Sequence, residues 1–131
     1  MRLKFCLLGE SAFVDNAQRL SITQIFDYIE SVSFPAMHSR MSIVTKWEFE
    51  ENDDKTKDYI QKLTIINNNT NKEILDPVES SLRSTSKDNQ FLQFIVNIQS
   101  LILPDEGEYT IRVALGKKIE KVIFKAIKLH N

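Results

Sequence analysis

Apolar and polar residues alternate along most of this chain. Leu92, Phe94, Val96, Ile98 and Ile102 keep to one parity, with Gln93, Asn97 and Gln99 between them. Tyr109, Ile111, Val113 and Leu115 alternate with Glu108, Thr110 and Arg112. A period of two places each apolar set on one face of a strand. Between the two runs, Pro104 presets a turn dihedral, Asp105 can bond its own backbone, and Gly107 tolerates positive φ. The pattern predicts two strands joined by a turn.

The same reading extends along the chain. Arg2–Leu8 reads as a strand with Leu3, Phe5 and Leu7 on one face and Lys4, Cys6 and Leu8 on the other. Gly9–Gln18 reads as a connection with Phe13 and Val14 packed inward, and Arg19–Tyr28 as a second strand with Leu20, Ile22, Phe26 and Tyr28 on one face. A short helix is the alternative for Arg19–Tyr28, but its β-branched residues favour a strand. Ser31–Arg40 is expected to cross between sheets, and Ser39–Phe49 to bury Met41, Ile43, Trp47 and Phe49. An acidic turn at Glu50–Lys57 leads into a strand over Tyr59–Ile66, with Leu63 and Ile65 inward. A polar turn at Asn67–Asn71 precedes a short strand over Glu73–Val78, limited by Pro77. Glu79–Gln90 is Ser-rich and charged, which predicts a mobile loop. Gly116-Lys117-Lys118 is a hairpin turn before a last strand over Ile119–Leu129. Seven to eight short strands without an amphipathic helix predict an all-β antiparallel β-sandwich, one domain over residues 1–131.

Asp105-x-Gly107-x-Tyr109 resembles the tyrosine corner of immunoglobulin-like sandwiches, where a late-strand Tyr hydroxyl returns to nearby backbone. Trp47 on an early strand fits the same architecture. Ile111 stands where antibody domains carry their second cysteine, so the resemblance implies a sandwich without the inter-sheet disulfide. Asp105, Gly107, Tyr109 and Trp47 are thus expected to be structural. A second resemblance covers more of the chain. Leu3 to Asp15, Leu20-Ser21-Ile22, Ile25-Phe26-Asp27 and Gly107-x-Tyr109 are similar to a family of small bacterial all-β proteins of unknown function. That family is about as long as this chain and carries no catalytic motif, so the resemblance transfers no functional residue.

Charge and cysteine content narrow the classes. A net charge of −1 provides no field to gather nucleic acid or an anionic membrane. The apolar run after Met1 is shorter than a signal peptide needs, and no stretch reaches the length of a membrane span. Cys6 is the only cysteine, so no intrachain disulfide can form. A cytoplasmic protein is expected, with no nucleic acid or membrane partner. Three glycines leave no room for a glycine-rich phosphate loop, and no cofactor is expected.

Candidate chemistry is sparse. Glu48, Glu50, Glu51, Asp53 and Asp54 crowd one turn, and clustered oxygens suit calcium, although the spacing is not that of an EF-hand. Cys6 with His38 as base would make a small hydrolase-like enzyme, but a nucleophile needs its base within hydrogen-bond reach. The expectation is no enzyme. Ser80, Ser81, Ser84 and Ser86 with Arg83 and Lys87 mark a loop where a small ligand would bind, if one does. The last strand departs most from clean alternation. Val122, Phe124 and Ala126 suit the core, while the other face carries Ile119, Lys121, Ile123, Lys125, Ile127 and Leu129. That face is too apolar for full solvation. Either a protein partner or a second copy in a homodimer meets it, or Glu79–Gln90 folds across it. The leading reading is a non-catalytic binding or assembly module, with Ile119, Lys121, Ile123, Lys125 and Ile127 as its interface.

Overall fold

In the computed structural model, which describes residues 1–130, every regular element is a β-strand. The elements are β1 (Arg2–Gly9), β2 (Ser11–Val14), β3 (Leu20–Thr23), β4 (Tyr28–Ser31), β5 (Ala36–Glu48), β6 (Asp58–Asn67), β7 (Lys72–Glu73), β8 (Val78–Arg83), β9 (Phe91–Leu103), β10 (Gly107–Leu115) and β11 (Lys118–Lys128). One sheet has the order β1-β5-β9; the other runs β4-β11-β10-β6, with β7 and β8 both pairing with β6. β2 and β3 form a separate hairpin. The eleven strands exceed the seven or eight expected, because short strands lie inside stretches that read as loops. The sheets are not wholly antiparallel either: β4 runs parallel to β11, pairing Tyr28–Ser31 with Lys125–Lys128.

The sheets face each other across one core. Met41, Ile43 and Trp47 of β5 and Phe94 and Val96 of β9 meet Leu63, Ile65, Tyr109, Ile111, Val113 and Phe124 of the opposite sheet, all buried. Burying such side chains contributes roughly 1.5–3 kcal/mol each, the main term favouring the fold. One polar tie crosses the core. Trp47 Nε1 donates to Gln61 Oε1 at 2.8 Å, and Thr45 Oγ1 donates to the same oxygen. These bonds satisfy two buried donors of β5 with one acceptor from β6, while Gln61 Nε2 remains without a partner. Neither sheet closes on itself, and Cys6 is a free thiol.

Two backbone irregularities explain where simple alternation fails. The β1–β5 register shifts between Leu3 and Phe5. Leu3, Cys6 and Leu8 therefore share the core side, and Phe5 and Leu7 turn outward, which corrects the grouping of Leu3 with Phe5 and Leu7. In β9, Ser100 takes φ +56°. Parity switches there while the register with β5 holds, His38 lying opposite Leu101 and Arg40 opposite Gln99, so Leu101 and Leu103 are buried while Ile102 is 48% exposed and does not join the inward set.

The segment between β1 and β4 also departs from expectation. Ser11–Val14 is a strand of the β2–β3 hairpin, and Phe13 and Val14 are exposed rather than packed inward. β3 stops at Gln24, whose φ is +50°, so Tyr28 belongs to a different strand and points outward. The hairpin lies over the outer face of β5 and β9. Ser42 and Val44 point away from the core yet are only 1% and 0% exposed. Close approach depends on Gly9: a Cβ there would meet Ile22 Cγ2 at 2.5 Å and the Thr23 carbonyl oxygen at 2.7 Å.

Side-chain hydrogen bonds close the turn before β10. Tyr109 Oη donates to the Asp105 carbonyl at 2.6 Å, four residues upstream. Asn67 Nδ2 donates to Asp105 Oδ1 at 2.8 Å, tying the turn to the end of β6. Gly107 has φ +138°, and a Cβ on it would lie 2.9 Å from Asn69 Nδ2. Burial pushes the Tyr109 phenol above its ordinary pKa, as suits a hydroxyl held as a donor.

Candidate functional site

Local chemistry decides how β11 presents its side chains. The two-residue Gly116-Lys117 turn, with Gly116 at φ +60°, pairs Leu115 with Lys118 and sets the register of β10 and β11. Phe124 and Ala126 face the core. Alternation then sends Ile119, Lys121, Ile123, Lys125 and Ile127 to the outer face. Ile119 is 46%, Ile123 52% and Ile127 40% exposed, and Leu129 just beyond the strand is exposed as well. Neighbouring strands extend the surface. Ile123 lies opposite Thr110, which lies opposite Ile66; Ile119 lies opposite Ala114; Lys125 lies opposite Tyr28. Charges of both signs are interleaved, with Arg112 beside Lys121, Glu108 beside Lys125, Glu30 beside Ile127, and Glu79 beside Lys62.

Glu79–Gln90 does not cover this face. Val78–Arg83 is a strand paired with Asp58–Leu63 of β6, with β10 as well as β6 between it and β11. The expected mobile loop is thus half sheet. The serine-rich segment instead borders a cleft of about 570 Å³ that also takes in Val14, Lys46 and Phe91, at the other sheet. Ser84 Oγ donates to the Ser86 carbonyl at 2.7 Å, which occupies one of its hydroxyls locally.

The acidic side chains Glu48, Glu50, Asp53 and Asp54 are engaged by nearby cations or local donors. Glu48 Oε1 pairs with Arg2 at 2.8 Å and Oε2 lies 3.7 Å from Lys4. Asp53 accepts from the Met1 ammonium at 2.6 Å, and Glu50 lies 3.0 Å from the same ammonium. Partial burial opposes ionisation of Asp53, yet its bonds to that ammonium and to the Glu50 amide outweigh this, and its carboxyl lies below the ordinary value. Asp54 accepts from the Thr56 hydroxyl and amide, which lowers its pKa. Among the described residues, no three His, Cys, Asp or Glu side chains are arranged to hold a metal ion.

Cys6 and His38 do not meet. Cys6 pairs with Thr45 on β5, seven residues along that strand from His38, or roughly 23 Å at strand rise. Desolvation pushes the Cys6 thiol up to about 11, the opposite of an activated nucleophile. His38 sits instead against the Phe26 ring, with Nε2 3.5 Å from Glu10 Oε1 and unbonded.

Sequence reasoning identified the outward set on β11 but missed what surrounds it. Tyr28, Ile29 and Glu30 carry a strand signal of their own, exposed-buried-exposed. Their run is too short to stand out from the preceding residues. Ile66 and Ala114 look like ordinary strand residues until the register puts them beside Ile123 and Ile119.

Residues 4–124 match a family of unknown function, DUF6941, and the chain belongs to that family. No curated protein matches the chain.

Proposed function

We propose that this member of an uncharacterised family is a non-catalytic assembly module that pairs with a second copy of itself through the outer face of β11. The observation behind this reading is the row Ile119, Ile123 and Ile127, 40–52% exposed on a face that no other segment covers among the described residues. Size supports a second copy as the occupant. Five strands about 4.8 Å apart and averaging about eight residues span roughly 630 Å². A standard interface buries about 800 Å² per partner. Charge supports it too: Lys62, Arg112, Lys121 and Lys125 share the face with Glu30, Glu79 and Glu108, so two copies can match opposite signs around the isoleucines.

The architecture reads best as immunoglobulin-like. With the short strands β2, β3, β4 and β7 set aside, β1-β5-β9 faces β11-β10-β6-β8, and Tyr109 makes its four-residue return at the start of the penultimate strand. One unpaired, half-buried thiol suits a reducing compartment, which is the basis for reading the protein as cytoplasmic.

Lysine cross-linking of a mixture of isotopically light and heavy protein tests the contact. Mixed-isotope links through Lys121 or Lys125 are expected. Links confined to one isotope, at concentrations where the protein associates, would contradict it.

A further inference from the structure

The outer face of β11 is one surface of that strand; its edge is another. Hydrogen bonding in an antiparallel pair alternates residue by residue. The two-residue turn makes Leu115 and Lys118 a bonded pair, so the even residues Glu120, Val122, Phe124 and Ala126 bond to β10. The odd residues present their amides and carbonyls to the opposite side. There, β4 satisfies them from Lys125 onward: Lys125 N donates to the Asp27 carbonyl at 3.2 Å and Leu129 N to the Ser31 carbonyl at 2.9 Å. β4 pairs no residue before Lys125. Among the described residues, Ile119, Lys121 and Ile123 thus keep an open edge.

The space beside that edge is shaped and mostly apolar. Before β4, the chain crosses to the other sheet, where Phe26 N donates to the Leu8 carbonyl at 2.9 Å. This crossing leaves a groove of about 300 Å³ walled by Cys6, Leu8, Phe26, Val122 and Ile123, with Asp27 at the end where β4 begins. It sits between the rim of β1 and the rim of β11. A strand laid there would continue the line of β4. Side chains on its inner side would enter the groove beside Val122. Those on its outer side would stand next to Lys121, with Lys125 close by.

We infer that the open edge Ile119–Ile123 is a strand-addition site for an extended peptide that alternates apolar and acidic residues. Main-chain bonds to Ile119, Lys121 and Ile123 would hold the guest, and alternate pockets would choose its side chains. Lys121 favours an acidic guest and disfavours a second copy here. A two-fold antiparallel pairing centred on this stretch would set Lys121 directly against its own counterpart, and like charges so placed repel.

The test uses a dye-labelled, end-capped peptide of alternating Val and Glu, with a Val-Lys counterpart, followed by fluorescence anisotropy and amide exchange. The expected result is saturable binding of the acidic peptide at least tenfold tighter than of the basic one. The amides of Ile119, Lys121 and Ile123, fast to exchange in the free protein, should become protected. Lys121→Pro removes an amide that makes no bond to β10 and should weaken binding at least tenfold. Should that variant fail to fold, a peptide N-methylated at alternate residues on unaltered protein asks the same question and should not bind. Equal binding of both peptides, undiminished binding to Lys121→Pro, or binding of the methylated peptide would overturn the inference. So would protection that grows with protein concentration alone, which would put a second copy on the edge. Ile127→Asp lies where β4 already occupies the edge, so it should impair the face contact and leave peptide binding intact. Failure of one reading is therefore distinguishable from failure of the other.

Discussion

The two outer faces of this sandwich are treated differently by the same chain. On the β1-β5-β9 sheet, the β2–β3 hairpin lies over Val44 and Ser42, which point away from the core yet are as buried as core residues, while Met37 and Ile102 farther along that sheet stay exposed. On the opposite sheet, Ile119, Ile123 and Ile127 occupy equivalent outward positions and stay about half exposed. Both faces carry apolar side chains that water would disfavour. One is covered in part by its own chain and the other is bare among the described residues. The contrast makes the exposed isoleucines informative where scattered surface apolar residues would not be.

An acidic substitution breaks the contrast most sharply. Val44→Asp places a charge beneath the hairpin with no partner and should cost about 3–5 kcal/mol in urea denaturation. An effect under about 0.5 kcal/mol, the range of an ordinary surface change, would mean that the hairpin does not cover this face in solution. Next in size is Gly9→Ala. The Thr23 carbonyl at 2.7 Å is backbone and must shift, so a loss of about 1–3 kcal/mol is expected, with faster amide exchange across β2 and β3. Tyr109→Phe is a control common to both faces, since it removes the bond to Asp105 inside the shared core. A loss of about 1–2 kcal/mol is expected; a neutral result would show that the hydroxyl bond is not needed.

The smallest effect is alkaline. Desolvation raises the Cys6 pKa from 9.0 to about 11, so the contribution of the neutral thiol is intact below pH 9 and is lost as pH rises through 11. Cys6→Ser should flatten that part of the pH–stability curve. An unchanged curve would place the thiol in water and open the core side of β1.

The sequence made legible what alternation controls. Met41, Ile43, Trp47 and Phe49, and Tyr109, Ile111, Val113 and Leu115, lie inward as their spacing predicts, and the outward set on β11 follows from the same rule. Alternation failed where a backbone irregularity changed parity. The bulge after Leu3 and positive φ at Ser100 leave no mark in composition, since neither site is a glycine. The β2–β3 hairpin was hidden for another reason. Its strands have four residues each and Phe13 and Val14 are exposed, so its cover for Val44 comes from placement across the sheet and not from local pattern. Gln61, the polar tie between the sheets, reads as an ordinary strand residue until Trp47 and Thr45 are seen to converge on it.

The central claim is that the bare face is a contact between copies and the covered face is not. Light scattering across a concentration series tests it directly, comparing the natural chain with Ile123→Asp and with Phe13→Asp, an equally exposed apolar site on the hairpin. The account predicts that the natural chain and Phe13→Asp approach twice the mass of one chain, while Ile123→Asp stays at the mass of one and still unfolds in a single cooperative transition. A natural chain that remains monomeric at every concentration, or an Ile123→Asp variant that still doubles its mass, would contradict it.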